Sequence, residues 1–362
     1  IPFKSIDMKY NLTSELNRKL NRFDKLLAGN IEIQTKSLGL DKRYIISSLM
    51  EEAIASSMIE GASTTRKVAK AMLREKRKPL NKSEKMIVNN YKTMQFMLDK
   101  KNEKITPALL LEIQRRITKD TMEYASDEGA FRDSNDIVVG DNIDPEQIRY
   151  TPPDHKKIPG LIEEFCEFAN DDSHEFIHPI LKGIILHFLL GYIHPFNDGN
   201  GRTARSVFYW YMVSKGYWLF EYMAVSRRIV RSRNNYDLSY LYTEYDEMDL
   251  TYFIKYILEC IDDSLNDMLG YIKRKQKEQE EIKKIIYKDS TLNLRQATIL
   301  EDIIKNPNKI ITIKEISETY RIVYQTARTD LLLLTKRGYI LKKILGKEFI
   351  FTYNEHNRMF RD

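Results

Sequence analysis

GYIHPFNDGNGRTARSVFYWY, residues 191–211, is the stretch that decides how this chain is read. A long apolar helix runs into it and stops near Ile193. A polar loop follows, His194-Pro195-Phe196-Asn197-Asp198-Gly199-Asn200-Gly201, and a second helix starts near Gly201–Arg202. The glycines at 199 and 201 let backbone N–H groups come close to a ligand. Such a loop at a helix N-terminus is an anion site, because the free N–H groups and the helix dipole both favour negative charge. Arg202 and Arg205 are three apart and project from nearby parts of one helical face. Two guanidiniums above an anion-binding loop suit a polyphosphate better than a single carboxylate. Asp198 beside them is a hard oxygen ligand of the type that holds Mg²⁺ on phosphates. His194 is the side chain here that accepts a proton near neutral pH. Base, metal ligand, phosphate cradle and charge clamp within twelve residues indicate nucleotidyl or phosphoryl transfer. His178 and His187 read as satisfied core or surface histidines. GxxxxGK[ST], HExxH, GxSxG and a complete EF-hand loop are all absent from the sequence.

Outward from this loop the chain is mostly helical. Residues 45–61, 82–100 and 106–120 carry apolar residues at three and four spacing, the last opening on Thr106 as N-cap with Pro107 at the first helical position. Residues 129–153 change character. Gly129, Gly140, Pro145, Pro152 and Pro153 surround Asp136-Ile137-Val138-Val139 and Gln147-Ile148-Arg149-Tyr150, a pattern expected to form a β-hairpin. Helices are expected again over 156–170, 177–193, 201–215 and 249–288. The charge-rich end of the last, 271–284, reads as a solvated linker helix. Over 291–353 the expected order is helix, strand (310–312), helix (313–320), helix (323–339) and two strands around Gly346-Lys347. That is the order of a winged helix, whose third helix would present Tyr324, Gln325, Thr326 and Arg328.

Composition bounds the rest. Of 362 residues 42% are hydrophobic, enough for real cores. The two cysteines, Cys166 and Cys260, are too far apart in sequence for a CxxC pair, which argues against a disulfide framework and for a reducing, cytoplasmic setting. No apolar run is long enough to span a membrane. The start, IPFKSIDMKY, has no leader pattern, and the missing initiator Met points to a trimmed chain. Net charge is +6, and residues 291–362 contribute +5 of it, from 13 Lys and Arg against 8 Asp and Glu. A basic terminal module of this kind meets DNA or a protein partner, or is merely a soluble basic surface.

HPFNDGNGRTAR, residues 194–205, resembles the signature of the Fic family, H-x-F-x-[DE]-G-N-G-R-x-x-R, at every fixed position. The resemblance implies a mainly α fold: a Fic helical core with a β-hairpin flap, here followed by a small α+β winged-helix domain. The division expected is 1–100 for an N-terminal helical region, 101–265 for the catalytic core, 266–290 for a linker helix and 291–362 for the winged helix. It further implies an enzyme that uses ATP and Mg²⁺ to place AMP on a Ser, Thr or Tyr hydroxyl of a target protein. In that scheme His194 is the general base and Asp198 holds Mg²⁺. The backbone of Gly199, Asn200 and Gly201 cradles the α- and β-phosphates, Arg202 pairs with phosphate oxygens and Arg205 reaches the γ-phosphate. A phosphorylating relative reads D-A-N-K-R in this loop, so Gly199 and Gly201 favour adenylyl transfer. Ser56-Ser57-Met58-Ile59-Glu60-Gly61 fits the inhibitory pattern [ST]-x-x-x-E-[GN] of self-inhibited Fic proteins, in which Glu60 would occupy Arg205. By the same resemblance, Tyr236 contacts the nucleotide base and the 129–153 flap takes up the target segment as an added strand.

The same residues also fit other readings. One is a DNA-binding regulator whose nucleotide-binding core serves as a platform or homodimer. Another is the same enzyme with a different nucleotide donor, and a third is AMP removal with Glu60 orienting water. For DNA the expected contacts are Arg328, Lys342, Lys343 and Lys347, and no membrane partner is expected.

Overall fold

A computed structural model describes residues 1–28, 42–137, 139–140, 148–171, 176–345 and 348–354. The chain divides into two compact units, Ile1–Leu269 and Gly270–Asp362. In the first, the helices are α1 (Ser14–Phe23), α2 (Lys42–Ile59), α3 (Arg66–Glu75), α4 (Lys82–Asp99) and α5 (Pro107–Thr118). Then come α6 (Ile158–Asn170), α7 (Pro179–Ile193), α8 (Asn200–Ser214), α9 (Val225–Arg231), α10 (Arg233–Tyr245) and the start of α11 (Thr251–Lys288). Side-chain caps set several starts. Thr106 Oγ1 accepts the Leu109 N–H at 3.1 Å ahead of Pro107, and Asn81 Oδ1 accepts the Glu84 N–H at 2.9 Å. No described helix is long and apolar enough to cross a membrane.

Helices α7 and α8 are the centre of this unit. Both are buried on nearly every residue, including Phe188, Leu189, Phe208 and Tyr211, so neither shows the one-sided stripe of a surface helix. They pack on each other, while α2 lies across α8, α4 and α9. This places the C-terminal end of α2 against the first turns of α8, and the 194–199 loop lies in between the two central helices. Between α5 and α6, β1 (Val139–Gly140) pairs antiparallel with β2 (Ile148–Tyr150), with Val139 opposite Tyr150. The Tyr150 hydroxyl donates to the Tyr192 carbonyl at 2.9 Å, tying this ribbon to the end of α7. Residues 138 and 141–147 of the expected hairpin lie outside the described residues.

The second unit runs α12 (Leu294–Lys305), β3 (Ile311–Thr312), α13 (Ile313–Tyr320), α14 (Tyr324–Lys336), β4 (Ile340–Leu345) and β5 (Glu348–Tyr353). Its antiparallel sheet has the order β3-β5-β4. Its core holds Leu300, Ile303, Ile311, Leu331, Leu334 and Phe351. Asn293 and Gln296 form a reciprocal capping box at the start of α12, and the buried Asp330 accepts from Gln296 Nε2 at 2.8 Å. Cys166 and Cys260 are both buried and free.

Candidate active site

α7 ends on a left-handed residue, as helices commonly do, but the residue is a histidine. His194 has φ 48°, and its N–H closes onto the Leu190 carbonyl at 3.1 Å. The ring Nδ1 lies 3.1 Å from the Gly191 carbonyl. A carbonyl can only accept, so the proton sits on Nδ1 and Nε2 keeps its lone pair. Burial is the main cause that lowers the His194 pKa below the ordinary imidazole value, and the Arg132 charge acts the same way. The Gly191 carbonyl, Glu60 and Asp198 pull against them. The imidazole is therefore neutral at neutral pH and carries a free acceptor, which is what a general base needs.

The loop after it is folded by its own residues. Phe196 is fully buried and stacks on Phe131 with ring centroids 5.5 Å apart. Asn200 Oδ1 accepts the Phe196 N–H at 2.9 Å, and Asn200 Nδ2 returns to the Phe196 carbonyl at 2.7 Å, so this side chain is spent on loop shape. Gly199 has φ 88°, and a Cβ there would meet Thr118 Cγ2 at 2.9 Å. Backbone angle and space both require glycine. Asp198 Oδ1 accepts the Gly199 N–H at 2.5 Å and Arg202 Nη2 at 3.1 Å. Arg202 is completely buried and also donates to the Ile117 carbonyl at 3.3 Å, so it acts on the site through Asp198.

Across the first turn of α8 lies Glu60, in the turn just after the last residue of α2. Its Oε1 accepts from Arg205 Nη2 at 2.7 Å. Arg205 is held further by Ser56, with Nε on the Ser56 hydroxyl at 2.8 Å and Nη2 on the Ser56 carbonyl at 2.9 Å. A Cβ at Gly201 would stand 2.2 Å from Glu60 Oε1 and 2.9 Å from Arg205 Nη1. The carboxylate thus fills the space over the helix N-terminus that the missing side chain leaves. Burial alone would raise the Glu60 pKa, but the Arg205 guanidinium, with Arg202 and Arg233 behind it, holds it below the usual carboxylate value. The Glu60 side chain is 25% exposed while that of Arg205 is 3% exposed. The anion can therefore leave towards solvent, whereas the cation stays.

Tyr236 is buried. Its hydroxyl lies 3.0 Å from His187 Nε2, and its ring contacts those of Tyr240, Phe253 and Tyr256. His187 is itself fully buried among aromatic rings. His178 caps α7, and its Nε2 lies 3.0 Å from Asp24. In the second unit Tyr324, Gln325 and Arg328 are exposed at the start of α14, and Lys342 and Lys343 are exposed on β4. Lys347 lies outside the described residues.

Four buried or partly buried polar residues complete the site without standing out in the sequence. Gln114 of α5 donates to the Asp198 carbonyl at 3.1 Å and accepts the Gly129 N–H. Arg132 donates to the His194 carbonyl at 2.9 Å. Arg233 donates to Ile59, the last carbonyl of α2, and pairs with Asp237 at 3.0 Å. Glu52 is fully buried, and accepts the Ser226 N–H at 2.8 Å, the Ser226 hydroxyl and the Tyr209 hydroxyl at 3.0 Å. Glu52, Ser56 and Glu60 recur every four residues on one face of an apolar helix, and that polar stripe is the signal by which Glu52 is found. Glu52→Ala strands the Ser226 and Tyr209 donors. It is expected to lower stability by about 1–3 kcal/mol, measured by urea unfolding. A loss of a few tenths would mean that these groups find new partners.

The donors suit a polyphosphate and a hard cation. Arg205 Nη1 is a buried donor with no partner among the described residues, beside the space over Gly201 that the Glu60 carboxylate occupies. Among the described residues there is no group of three or more His, Cys, Asp or Glu that would hold a metal alone. Mg²⁺ needs none, since it is commonly held by one or two carboxylates and the substrate's phosphates. The Asp198 side chain, 42% exposed, is placed for that.

Residues 104–212, which hold Gln114, Arg132 and the whole 194–205 loop, match the Fic/DOC family model. Those residues match a Fic domain. Protein adenylyltransferase Fic of Nematostella vectensis is 24% identical over 275 residues, 74% of this chain and 57% of the relative. Protein adenylyltransferase fic-1 of Caenorhabditis elegans is 30% identical over 121 residues, 33% of this chain and 22% of the relative. The chain thus spans little more than half, or less, of the curated relatives it matches. Among solved structures, a Fic family protein from Desulfovibrio desulfuricans G20 superposes with TM-score 0.66 at 16% identity, covering 97% of this chain and 100% of its own. Fic-1 from C. elegans superposes with TM-score 0.55 at 22% identity, covering 73% of this chain and 74% of its own. These two share the fold.

Proposed function

We propose that the chain is a protein adenylyltransferase, held inactive by Glu60, that transfers AMP from ATP to a hydroxyl side chain of a target protein and of itself. The observation that carries this reading is the Glu60–Arg205 pair at 2.7 Å in the cradle over Gly201, a carboxylate sitting where an anionic substrate group would sit. With the carboxylate displaced, Arg205 receives the γ-phosphate, and the first N–H groups of α8 with the 199–201 backbone face the inner phosphates. Arg202 orients Asp198 from below. Asp198 would hold Mg²⁺, which when bound neutralises charge on the phosphates. His194 Nε2 takes the proton of the target hydroxyl. The oxygen bonds to the α-phosphorus as the bond from that phosphorus to the bridging oxygen breaks, and pyrophosphate leaves with the electron pair. The flap edge β1–β2 supplies backbone groups for a target segment added as a strand. Tyr236, the residue assigned to the nucleotide base, is buried with its hydroxyl on His187. The test is incubation with α-labelled or γ-labelled ATP and Mg²⁺. Label on protein from the α-position alone is expected, and label from the γ-position would indicate phosphorylation instead.

For the second unit we propose DNA contact through Arg328 on α14 and Lys342 and Lys343 on β4, all exposed. Three phosphate contacts predict a shift of duplex DNA in gels at about 50 mM salt that weakens by tens of fold at about 200 mM. Replacing the three by Glu should abolish the shift and leave AMP transfer intact. No shift at either salt concentration would assign the unit to protein interaction.

A further inference from the structure

Arg132 is 3% exposed, yet every acceptor bonded to it is neutral. Nε donates to the His194 carbonyl at 2.9 Å, Nη1 to the Ser134 carbonyl at 2.8 Å and to Asn135 Oδ1 at 3.3 Å, and Nη2 to the Pro153 carbonyl. Its own N–H donates to the Pro195 carbonyl at 2.9 Å. Asn135 Oδ1 in turn accepts the His155 N–H at 2.8 Å. A buried cation with no carboxylate bonded to it is costly, and Asp154 offsets that only through its charge at longer range. What this one does is geometric. Its planar fork reaches three places at once: the flap backbone ahead of β1 at 134–135, the end of the flap at 153, and the backbone of the left-handed residue that carries the base. Lysine, with a single ammonium, cannot span all three.

We propose that Arg132 is the positioning residue that couples the flap to the base, so that a target segment seated along the flap finds His194 already aligned with its hydroxyl. This rests on the adenylyl-transfer reading and adds to it a residue that touches neither nucleotide nor target. The left-handed conformation of a histidine needs support from its surroundings, and Arg132 supplies it at the carbonyl while Leu190 supplies it at the N–H. The charge of Arg132 also helps to keep the ring neutral. It opposes Glu60 and Asp198, which favour the charged ring.

The test compares Arg132→Lys and Arg132→Met in the full chain with Glu60→Gly as parent. For both variants ATP affinity is expected within about twofold of the parent. Turnover should fall by on the order of 100-fold, the usual effect of misplacing a reacting group by about 1 Å. The His194 ring, assigned among the six histidines by difference from His194→Ala, is then titrated by NMR. Its pKa should rise in Arg132→Met, which removes the charge, and stay in place in Arg132→Lys, which keeps it. Unchanged turnover in both variants overturns the proposal. So does loss of ATP binding in step with turnover, which would make Arg132 a general structural support. If the parent itself transfers no AMP, the adenylyl-transfer reading fails, and the His194 titration still decides the role of Arg132: an identical pKa in parent and both variants overturns it.

Discussion

Glu60→Gly is expected to raise self-modification by on the order of 10–100-fold. The carboxylate and a γ-phosphate compete for one guanidinium, and a charge-assisted hydrogen bond is worth roughly 1.5–3 kcal/mol. Arg205 keeps both bonds to Ser56 when Glu60 is gone, so it stays aimed at the cradle instead of collapsing into the core. Because the Glu60 carboxylate is already a quarter exposed, removing it leaves no large cavity, and α2 stays anchored through Glu52. Losing the carboxylate also leaves the buried Arg205 cation bonded only to the neutral Ser56 groups, so the melting temperature should fall while the rate rises, and the two are measured together with α-labelled ATP and thermal unfolding. An unchanged rate with ATP shown to be bound would sink the inhibitory role of Glu60.

His194→Ala is expected to lower transfer by about 10²–10⁴-fold or more while leaving ATP affinity nearly unchanged. In the proposed reaction the imidazole acts on the target hydroxyl, while α8 and Arg205 take the phosphates. Its pH dependence follows from its setting. The base works only when neutral, so activity falls as pH drops through the His194 pKa. Burial holds that pKa below about 6.5, so the acid limb of kcat/KM should lie below that value. Removing Glu60 takes away a charge that favours the protonated ring, so in the free Glu60→Gly chain the limb should move lower still. Equal losses of ATP binding and of activity in His194→Ala would make His194 a binding residue.

The sequence by itself determined the backbone shape of the 196–200 turn, because its closing bonds are local. A glycine with φ 88°, a helix that starts at Asn200 and a loop closed by the Phe196–Asn200 bonds all depend on residues within five positions of one another. The same holds for α5, α7 and α8, whose caps and apolar runs are written in consecutive residues, and for the helix–strand–helix–helix–strand–strand order of the second unit. α9 and α10 were not legible. Tyr-rich and Arg-rich stretches over 225–245 carry no clean period, and their helices form because α9 packs on α2 and the Tyr236 and Tyr240 rings of α10 pack on α7 and α11. Tertiary structure alone decided what Gln114, Arg132, Glu52 and Arg233 do. Each is a polar residue with a partner far away in sequence: the His194 carbonyl 62 positions from Arg132, the Asp198 carbonyl 84 from Gln114, Ser226 174 from Glu52 and the Ile59 carbonyl 174 from Arg233. An arginine or glutamate in isolation is expected at the surface, since burying a charge is unfavourable until its partners are in place. Those partners, the carbonyls of His194, Pro153 and Ile59 among them, come within reach only when the chain has folded. The resemblance at 56–61 pointed to Glu60 in advance, but its burial over Gly201 and the bracing of Arg205 by Ser56 are properties of two helices brought together across 145 residues of sequence.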